Sequence, residues 1–475
     1  MLEYVMSFLF WITVILTSSW LGISILKFQI NSIIEENRMQ ILHELGPSAV
    51  NIEHPIFLGF FHPYCNAGGG GERVLWTAIR DIQRDFTNVI CAVYTGDVAS
   101  KEEIIDKVKN GFNIDLDPTR LNFVYLSKRN LVEDALYPRF TLILQSLASI
   151  ILGFEAISKL VPDVYFDTMG YAFTYPLVHY FTKVKIATYT HYPTISSDMV
   201  NRVHERRNNS KMDNYVWSTG KLIYYRLFAF IYGFCGSYAE IVMVNSTWTK
   251  GHIDSLWHTK AEIVYPPCDT DRLNALPLTH RKNMIVSVAQ FRPEKDHRMQ
   301  LRGLAKLFER YPQWKDKDVE LVLIGSARNE GDVKRVDDLK RESEVLGIKE
   351  YVRFEVNASY DVLVSSLGEA KIGFHTMWNE HFGIGVVEYM AAGLIPVAHN
   401  SAGPKLDIVT EYDGKPTGFL ADTVDGFAES LNKALSLTES EYIEMATNAR
   451  AAACDKFSEE AFSSDLLCSL RPCLT

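Results

Sequence analysis

The sequence predicts an α/β protein of two parallel-sheet units behind an apolar N-terminal helix, and three observations predict it. Short β-rich apolar runs alternate with helical stretches through the whole body, the pattern in which helices cover both faces of a parallel sheet. A turn-rich stretch from Tyr265 to Asn283, YPPCDTDRLNALPLTHRKN, interrupts that alternation, and the strand pattern restarts after it. At 475 residues the chain is long enough for two domains of ordinary size. A hydrophobic content of 47% with 22% charged residues places it among globular proteins, away from disorder. The net charge of −10 argues against nucleic acid as a bulk partner.

Between Glu3 and Lys27 there is no charged residue. The run YVMSFLFWITVILTSSWLGISIL, at ~1.5 Å per residue, spans a hydrocarbon core of ~30 Å. A cleaved signal peptide would carry a basic leading segment and a shorter apolar core, and neither is present. No Lys or Arg precedes the run, whereas Lys27 and Arg38 follow it, which predicts a single signal anchor with a cytosolic body. The sequons at Asn208, Asn245 and Asn357 are then expected to stay unmodified. Seven cysteines without a CxxC pair point to a reducing compartment rather than a disulfide framework or a zinc site.

In the first half the strand candidates are IFLGFF, NVICAVYT, LNFVYL, DVYFDT, KIATYTH and EIVMVN; in the second they are MIVSVAQF, VELVLIG, YVRFEV, AKIGFH and LIPVAH. A last helical stretch is expected from about Ser440 to Leu470. Two further stretches are unusually apolar. Phe140 to Phe154 reads as a buried core helix. Leu222 to Tyr238 carries only Arg226 among many aromatics and has Lys211, Lys221 and the basic cluster RVHERR nearby, so a core helix and an interfacial helix both fit it.

The segment EHFGIGVVEYMAAG, Glu380 to Gly393, carries the chemistry. AKIGFH before it is a strand and GVVEYMAAG a helix ending at Gly393, so Glu380 falls on the strand-to-helix loop and Glu388 about one turn into the helix. Gly383 and Gly385 let backbone N–H groups approach a ligand, and a helix N-terminus favours an anion. One carboxylate can take a sugar's hydroxyls and the other a ribose diol, with a diphosphate between: a socket for a sugar nucleotide. A glycosidase would need the two carboxylates to flank a glycosidic bond, whereas these line one edge of a nucleotide site.

This arrangement resembles the E-x7-E signature of the retaining GT-B glycosyltransferases of family 4. The resemblance implies two facing Rossmann-like domains with an interdomain cleft. It implies a segmentation into 1–28 as anchor, 29–265 as acceptor-side and membrane-facing domain, 266–283 as linker, 284–439 as nucleotide-sugar domain, and 440–475 as a helical segment crossing back to the first domain. It further implies that Glu380 holds the donor sugar and Glu388 the ribose, with Phe382, Gly383 and Ile384 forming the loop against the donor. In HPYCNAGGGGERVLW a Gly-rich turn leads from strand to helix, and the resemblance puts Gly70 and Gly71 beside donor phosphate and acceptor. A dinucleotide fingerprint is the rival reading, but Val74 stands where its third glycine belongs. His191 ends KIATYTH, at the mouth of an α/β crevice, where the family has a donor-sugar histidine.

SVAQFRPEKDH is similar to the family's diphosphate-clamping segment. Lys295 takes the place of its lysine, but Gln290 stands at the arginine position and Arg292 lies two residues later. Either Arg292 reaches the phosphates by a shifted loop or Lys295 carries most of the charge. Gly325-Ser326 and Val356-Asn357 are expected to border the base, and SAGP at Ser401–Pro404 to pack near the Glu388 helix. Asp115-Leu-Asp117 lies in a polar turn and is assigned no metal, since basic residues and a helix dipole neutralise the diphosphate in this family. No cofactor is expected.

Taken together, GFFHPYCNAGGGGERVLW, ATYTHYPTIS, VNSTWT, YPPCD, QFRPEKDH and HTMWNEHFGIGVVEYMAAG resemble the GDP-mannose-dependent α-1,2-mannosyltransferases that extend Man3GlcNAc2-diphosphate-dolichol at the cytosolic face of the endoplasmic reticulum. That implies GDP-mannose and a dolichol-diphosphate-linked oligosaccharide as partners, two successive additions, and an endoplasmic reticulum membrane setting. Association with other mannosyltransferases of the same pathway is compatible with it. A GT-B enzyme with another nucleotide sugar or lipid acceptor is a rival. So is a non-catalytic scaffold of dolichol-linked assembly, although Glu380, Glu388, Lys295 and His191 all stand.

Overall fold

The computed structural model describes residues 2–196 and 212–474. The basic cluster RVHERR, Lys211 and the Asn208 sequon lie outside the described residues. The chain divides into two compact units. The first holds Met1–Met243, His252–Glu262 and Leu467–Thr475, and the second Val244–Gly251 and Ile263–Leu466.

In the first unit the strands are β1 (Ile56–Phe61), β2 (Val89–Thr95), β3 (Leu121–Tyr125), β4 (Val164–Asp167), β5 (Lys185–Thr190), β6 (Ile241–Val244) and β7 (Glu262–Ile263). They form one sheet in the order β3-β2-β1-β4-β5-β6-β7. β1 lies parallel to β2 on one side, Ile56 opposite Val89, and parallel to β4 on the other, Leu58 opposite Val164. β1 and β2 are buried on both faces, which explains their continuous apolar runs.

The second unit repeats the plan with β8 (Lys282–Val288), β9 (Glu320–Gly325), β10 (Val352–Val356), β11 (Ala370–His375), β12 (Ile395–His399) and β13 (Phe419–Ala421), ordered β10-β9-β8-β11-β12-β13. Its core has two layers, one on each side of the sheet. Leu301, Leu304, Phe308 and Phe427 belong to one; Val386, Tyr389, Met390 and Phe457 belong to the other. In both sheets the strand order reverses beside the first strand, so the carboxyl ends of β1 and β4, and of β8 and β11, border a ligand-binding position.

Every strand expected from the sequence is present, and β7 and β13 are additional. At two and three residues, those two are too short to show a period. The expected final helix is two helices, Glu439–Phe457 and Glu459–Leu474, broken at Ser458, whose extended backbone bridges to Cys268. All seven cysteines are free thiols.

The N-terminal helix runs unbroken over Leu2–Ser32. Among its described side chains Phe10, Trp11, Trp20, Leu21 and Phe28 are exposed. It is tied to the first unit by Lys27 Nζ, which donates to the Tyr180 carbonyl at 2.8 Å. The helix Thr141–Lys159 is long and apolar enough to cross a membrane by length and composition. Its second half nevertheless packs into the unit: Glu155 accepts hydrogen bonds from Ser127 N and Oγ, both at 2.8 Å, and from Lys128 N at 3.1 Å.

The expectation of a buried core helix from Phe140 therefore holds only for that second half. Phe140, Leu144, Leu147 and Ile151 are exposed, at a spacing of four, three and four that sets them on one face. The helix Met212–Gly236 is likewise two-sided. Leu222, Phe228, Tyr232 and Cys235 are buried, while Ile223, Leu227, Phe230 and Phe234 form a second exposed stripe of the same spacing.

Candidate active site

In the second unit the site grows from the ends of β8 and β11. β11 is buried between β8 and β12, and Gly373 within it has no Cβ because one would stand 2.2 Å from the Tyr389 ring. The helix Ile384–Ala391 therefore lies tight on the strand. Its Tyr389 hydroxyl accepts from Val288 N at 2.7 Å, pinning the helix to the end of β8. The other end is clamped by Arg281 and Arg450, which donate to the Ala392 carbonyl at 2.5 and 3.1 Å, and by Tyr442, which donates to the Gly393 carbonyl at 2.7 Å. Cations and donors at a helix C-terminus satisfy carbonyls the helix leaves free. The helix ends where the sequence places its end, at Gly393 with φ +83°.

Gly383 precedes the helix at φ +109°, a conformation that favours glycine. Glu380 lies on the loop before it, and its carbonyl accepts from Gly403 N at 3.0 Å. Asn379 N donates to Ser401 Oγ at 2.9 Å, and Ser401 Oγ stands 2.9 Å from His399 Nδ1. The SAGP segment thus braces the Glu380 loop as well as approaching the helix. Asp296, Asn379 and Ala402 all have positive φ, at 45°, 53° and 44°, so backbone strain gathers around this loop.

Glu380 Oε2 accepts from Lys295 Nζ at 2.5 Å, and His375 Nε2, at the end of β11, stands 3.3 Å from the same oxygen. Burial opposes ionisation of Glu380, but His375 and Lys295 outweigh it and hold the carboxyl well below the usual range. Lys295 sits on a short turn, Pro293–Lys295, whose carbonyl accepts from Thr376 Oγ1 at 3.2 Å, so β11 positions both partners. The result is an ion pair at the entrance to a helix N-terminus. It offers a cation to an anionic ligand and a carboxylate to hydroxyl donors.

The remaining expected residues of this unit fall differently. Glu388 is half-buried, the fifth residue of the helix, on the face that begins at Ile384 and Gly385. Arg292 is exposed and lies 3.9 Å from Glu294, so Lys295 and not Arg292 meets Glu380. The Phe382 side chain is buried against Tyr265 and Phe457, leaving only its backbone for a ligand. Gly325 meets a packing need: a Cβ there would lie 1.9 Å from the Ala289 carbonyl oxygen. Its own carbonyl accepts from Asn357 N at 2.8 Å, joining the two loops expected near the base.

The first unit carries its own cluster at the ends of β1, β4 and β5. His62 follows β1, and its Nδ1 stands 2.7 Å from Thr168 Oγ1. Glu72 opens the helix Gly70–Asp85 and accepts from Gly69 N at 2.6 Å, closing the glycine turn. Of Gly68 to Gly71 only Gly68 has a positive φ, +81°, while Gly70 is exposed with open space around it and Gly71 lies against His191. His62 Nε2 is 3.9 Å from Glu72 Oε1. Burial opposes the Glu72 charge, but His62 and the backbone N–H groups hold its pKa below the usual value. His191 Nε2 and His62 Nε2 are both buried without a hydrogen-bond partner. Burial, and after it His62, push the His191 imidazole down to about 4, against Glu72 and the Thr168 backbone. His191 is therefore neutral at pH 7, with Nε2 free to accept from a hydroxyl.

His375, His62, Glu72 and Thr168 are the residues sequence reasoning missed. A common signal marks the two histidines and His191: each closes an apolar strand next to a glycine turn or a turn into a helix. Asp115 and Asp117 are engaged elsewhere, by Lys109 at 2.7 Å and by Arg120 at 2.8 Å.

The two sheets of like order, each with helices around a parallel core, define a glycosyltransferase of the GT-B type. Among solved structures the fold is shared with Anabaena Alr3699/HepE in complex with UDP-glucose, at a TM-score of 0.60 and 14% identity over 88% of this chain and 100% of that one. It is shared too with the trehalose 6-phosphate synthase of Burkholderia multivorans, at a TM-score of 0.63 and 13% identity over 88% and 98%. Residues 55–257 match the family described as ALG11 mannosyltransferase N-terminus, and residues 270–452 match glycosyl transferases group 1.

The chain is 50% identical to the GDP-Man:Man(3)GlcNAc(2)-PP-Dol alpha-1,2-mannosyltransferase of Mus musculus over 88% of this chain and 87% of that one. It is 48% identical to the human protein of that name, over 91% and 90%, and 49% identical to that of Dictyostelium discoideum, over 88% and 85%. The chain belongs to this family of α-1,2-mannosyltransferases.

Proposed function

We propose that the protein transfers mannose from GDP-mannose in α-1,2 linkage to Man3GlcNAc2-diphosphate-dolichol, twice in succession, to give Man5GlcNAc2 on the lipid. The observation that carries the reading is the Lys295–Glu380 pair beside the start of the helix Ile384–Ala391. Glu380 takes hydroxyls of the mannose, Lys295 and the helix N-terminus take the diphosphate, and Glu388 takes the ribose diol. His191 offers a neutral acceptor nitrogen to a sugar hydroxyl.

The anomeric configuration is kept by front-face displacement. The acceptor hydroxyl oxygen bonds to the anomeric carbon on the face from which the diphosphate departs. The bond from that carbon to the phosphate oxygen breaks, and its electron pair leaves with GDP. The hydroxyl proton passes to a donor phosphate oxygen. Lys295 stabilises the charge growing on GDP, a contribution of ~3 kcal/mol for a single well-placed donor. No metal and no cofactor takes part in this scheme. The helix Leu2–Ser32 anchors the chain in the endoplasmic reticulum membrane, with the body cytosolic, where the lipid acceptor is presented.

The test is turnover of the full-length protein in detergent with GDP-mannose and a dolichol-linked Man3GlcNAc2 acceptor, with EDTA present. The expected product is heavier by two hexoses, both removable by an α-1,2-mannosidase. No transfer, or transfer from another nucleotide sugar instead, would overturn the reading. A scaffold without activity is disfavoured, since it has no use for a half-buried Lys295–Glu380 pair.

A further inference from the structure

Where the exposed apolar stripe of the helix Thr141–Lys159 begins, at Phe140, the surface of the first unit is hollowed. A groove of about 530 Å³ is lined by Phe140, Leu142, Gly220, Lys221, Tyr224 and Tyr225. It lies between the start of the helix Thr141–Lys159 and the middle of the helix Met212–Gly236. Its wall is held in place by the Tyr224 hydroxyl, which accepts from Ile143 N at 3.2 Å, and by the Tyr224 ring, which meets Phe140 edge-on at 5.7 Å.

Phe140 has φ +55°, a conformation rare and costly for a bulky residue, yet its side chain is 64% exposed. Among the described lining residues the cation is Lys221, whose Nζ lies 5.6 Å from the centre of the Tyr225 ring and which pairs with no carboxylate among the described residues. Apolar walls leading away from an ammonium suit an amphiphile with an anionic head and a hydrocarbon tail.

From the groove the exposed stripe of the helix Thr141–Lys159 continues through Leu144, Leu147 and Ile151, and the helix Met212–Gly236 exposes Leu227, Phe230 and Phe234 on another of its faces. That surface belongs to the same unit as the exposed apolar helix Leu2–Ser32. Bulk lipid would need only the stripes. The groove adds a concave seat with a charge at one end, which a flat bilayer contact does not require.

We propose that this groove binds the polyisoprenyl chain of the acceptor next to its diphosphate, with Lys221 against the phosphates and Phe140, Tyr224 and Tyr225 against the first isoprene units. The proposal rests on the reading that the acceptor is dolichol-linked. It assigns the choice of lipid to the first unit, by a site separate from the charged cluster of the second.

Gly220 gives the test, because a Cβ there meets nothing within 4 Å and its φ is not positive, so a large side chain can enter the groove without backbone strain. Full-length wild type and Gly220→Phe are assayed in detergent with two acceptors bearing the same Man3GlcNAc2-diphosphate, one on dolichol and one on a short saturated alkyl chain. The expected result is a loss of about ten-fold in preference for the dolichol acceptor, seen in KM, about 1.4 kcal/mol. Lys221→Ala should raise KM for both acceptors, since both carry the diphosphate. Liposome co-sedimentation of Gly220→Phe should match wild type. An unchanged acceptor preference would overturn the proposal. So would a parallel fall in liposome binding, which would make the groove part of a general membrane face, or a change in oligomeric mass, which would make it a contact between copies. If wild type fails with both acceptors, it is the functional reading that fails and not the groove.

Discussion

The two units place polar clusters at equivalent positions of like sheets, yet the clusters differ in charge. In the second unit Lys295 and Glu380 form an ion pair at 2.5 Å with His375 against it. In the first unit His191 and His62 present buried nitrogens without hydrogen-bond partners, and Glu72, 3.9 Å from His62, closes a glycine turn. The same sheet order thus supports two kinds of recognition. A fixed cation beside a helix N-terminus suits a diphosphate, whose charge grows as the bond to the sugar breaks. A neutral imidazole suits a hydroxyl, which carries no charge to be matched. Function in this fold is decided by what the loops at the strand ends carry, since the sheets themselves are alike.

The comparison breaks first at Glu380. Glu380→Ala should cut kcat by about 10²- to 10³-fold in a folded protein, because charge-assisted hydrogen bonds are each worth roughly 1.5–3 kcal/mol. Turnover near wild type in a variant with native circular dichroism would remove Glu380 from the site. Next comes the clamp. Lys295→Ala should lose about 10²-fold, and Arg292→Ala, whose side chain points to solvent and Glu294, no more than about three-fold. Equal losses would mean that Arg292 swings inward when donor binds.

Glu388→Ala should act mainly on donor binding, raising KM for GDP-mannose about ten-fold with little change in kcat, as expected of contacts alike in ground and transition states. A fall in kcat at constant KM would contradict the ribose role.

The smallest effect expected is on stability against pH. His191 and His297 are both pushed down by burial, from 6.5 to about 4. Below 6.5 the unfolded chain takes up protons that the folded one refuses until about 4. The stability these groups contribute is therefore whole above 6.5 and is lost as pH falls toward 4. Tm should drop across that window, and less so in His191→Asn; an equal drop in that variant would mean His191 is not held neutral.

Much of this was legible in the sequence. Parallel strands buried on both faces leave long apolar runs, so eleven of the strands stand out, as does the turn-rich stretch from Tyr265. Glu380 stands out because a charge beside Gly383 has little structural reason to be there, and Lys295 through the resemblance of its Pro-Glu-Lys turn to the family's diphosphate-clamping segment. His375 and His62 share with His191 the place at the end of an apolar strand, but that place alone reads the same whether a histidine serves packing or chemistry. Phe382 misleads in the opposite sense: it sits inside the motif, yet its ring belongs to the core. The stripes from Phe140 and Ile223 were hidden because apolar runs show no polar face, and only the packing of each helix decides which side meets solvent.

Everything proposed for the second unit depends on Glu380 reading the sugar and Lys295 the diphosphate, two residues that form an ion pair in the structure. Calorimetric titration of wild type, Glu380→Ala and Lys295→Ala with GDP and with GDP-mannose tests it most directly. Glu380→Ala should weaken GDP-mannose by about ten-fold or more while GDP binds as well as to wild type or better, since Lys295 is released. Lys295→Ala should weaken both ligands alike. Equal weakening of GDP and GDP-mannose by Glu380→Ala would contradict it.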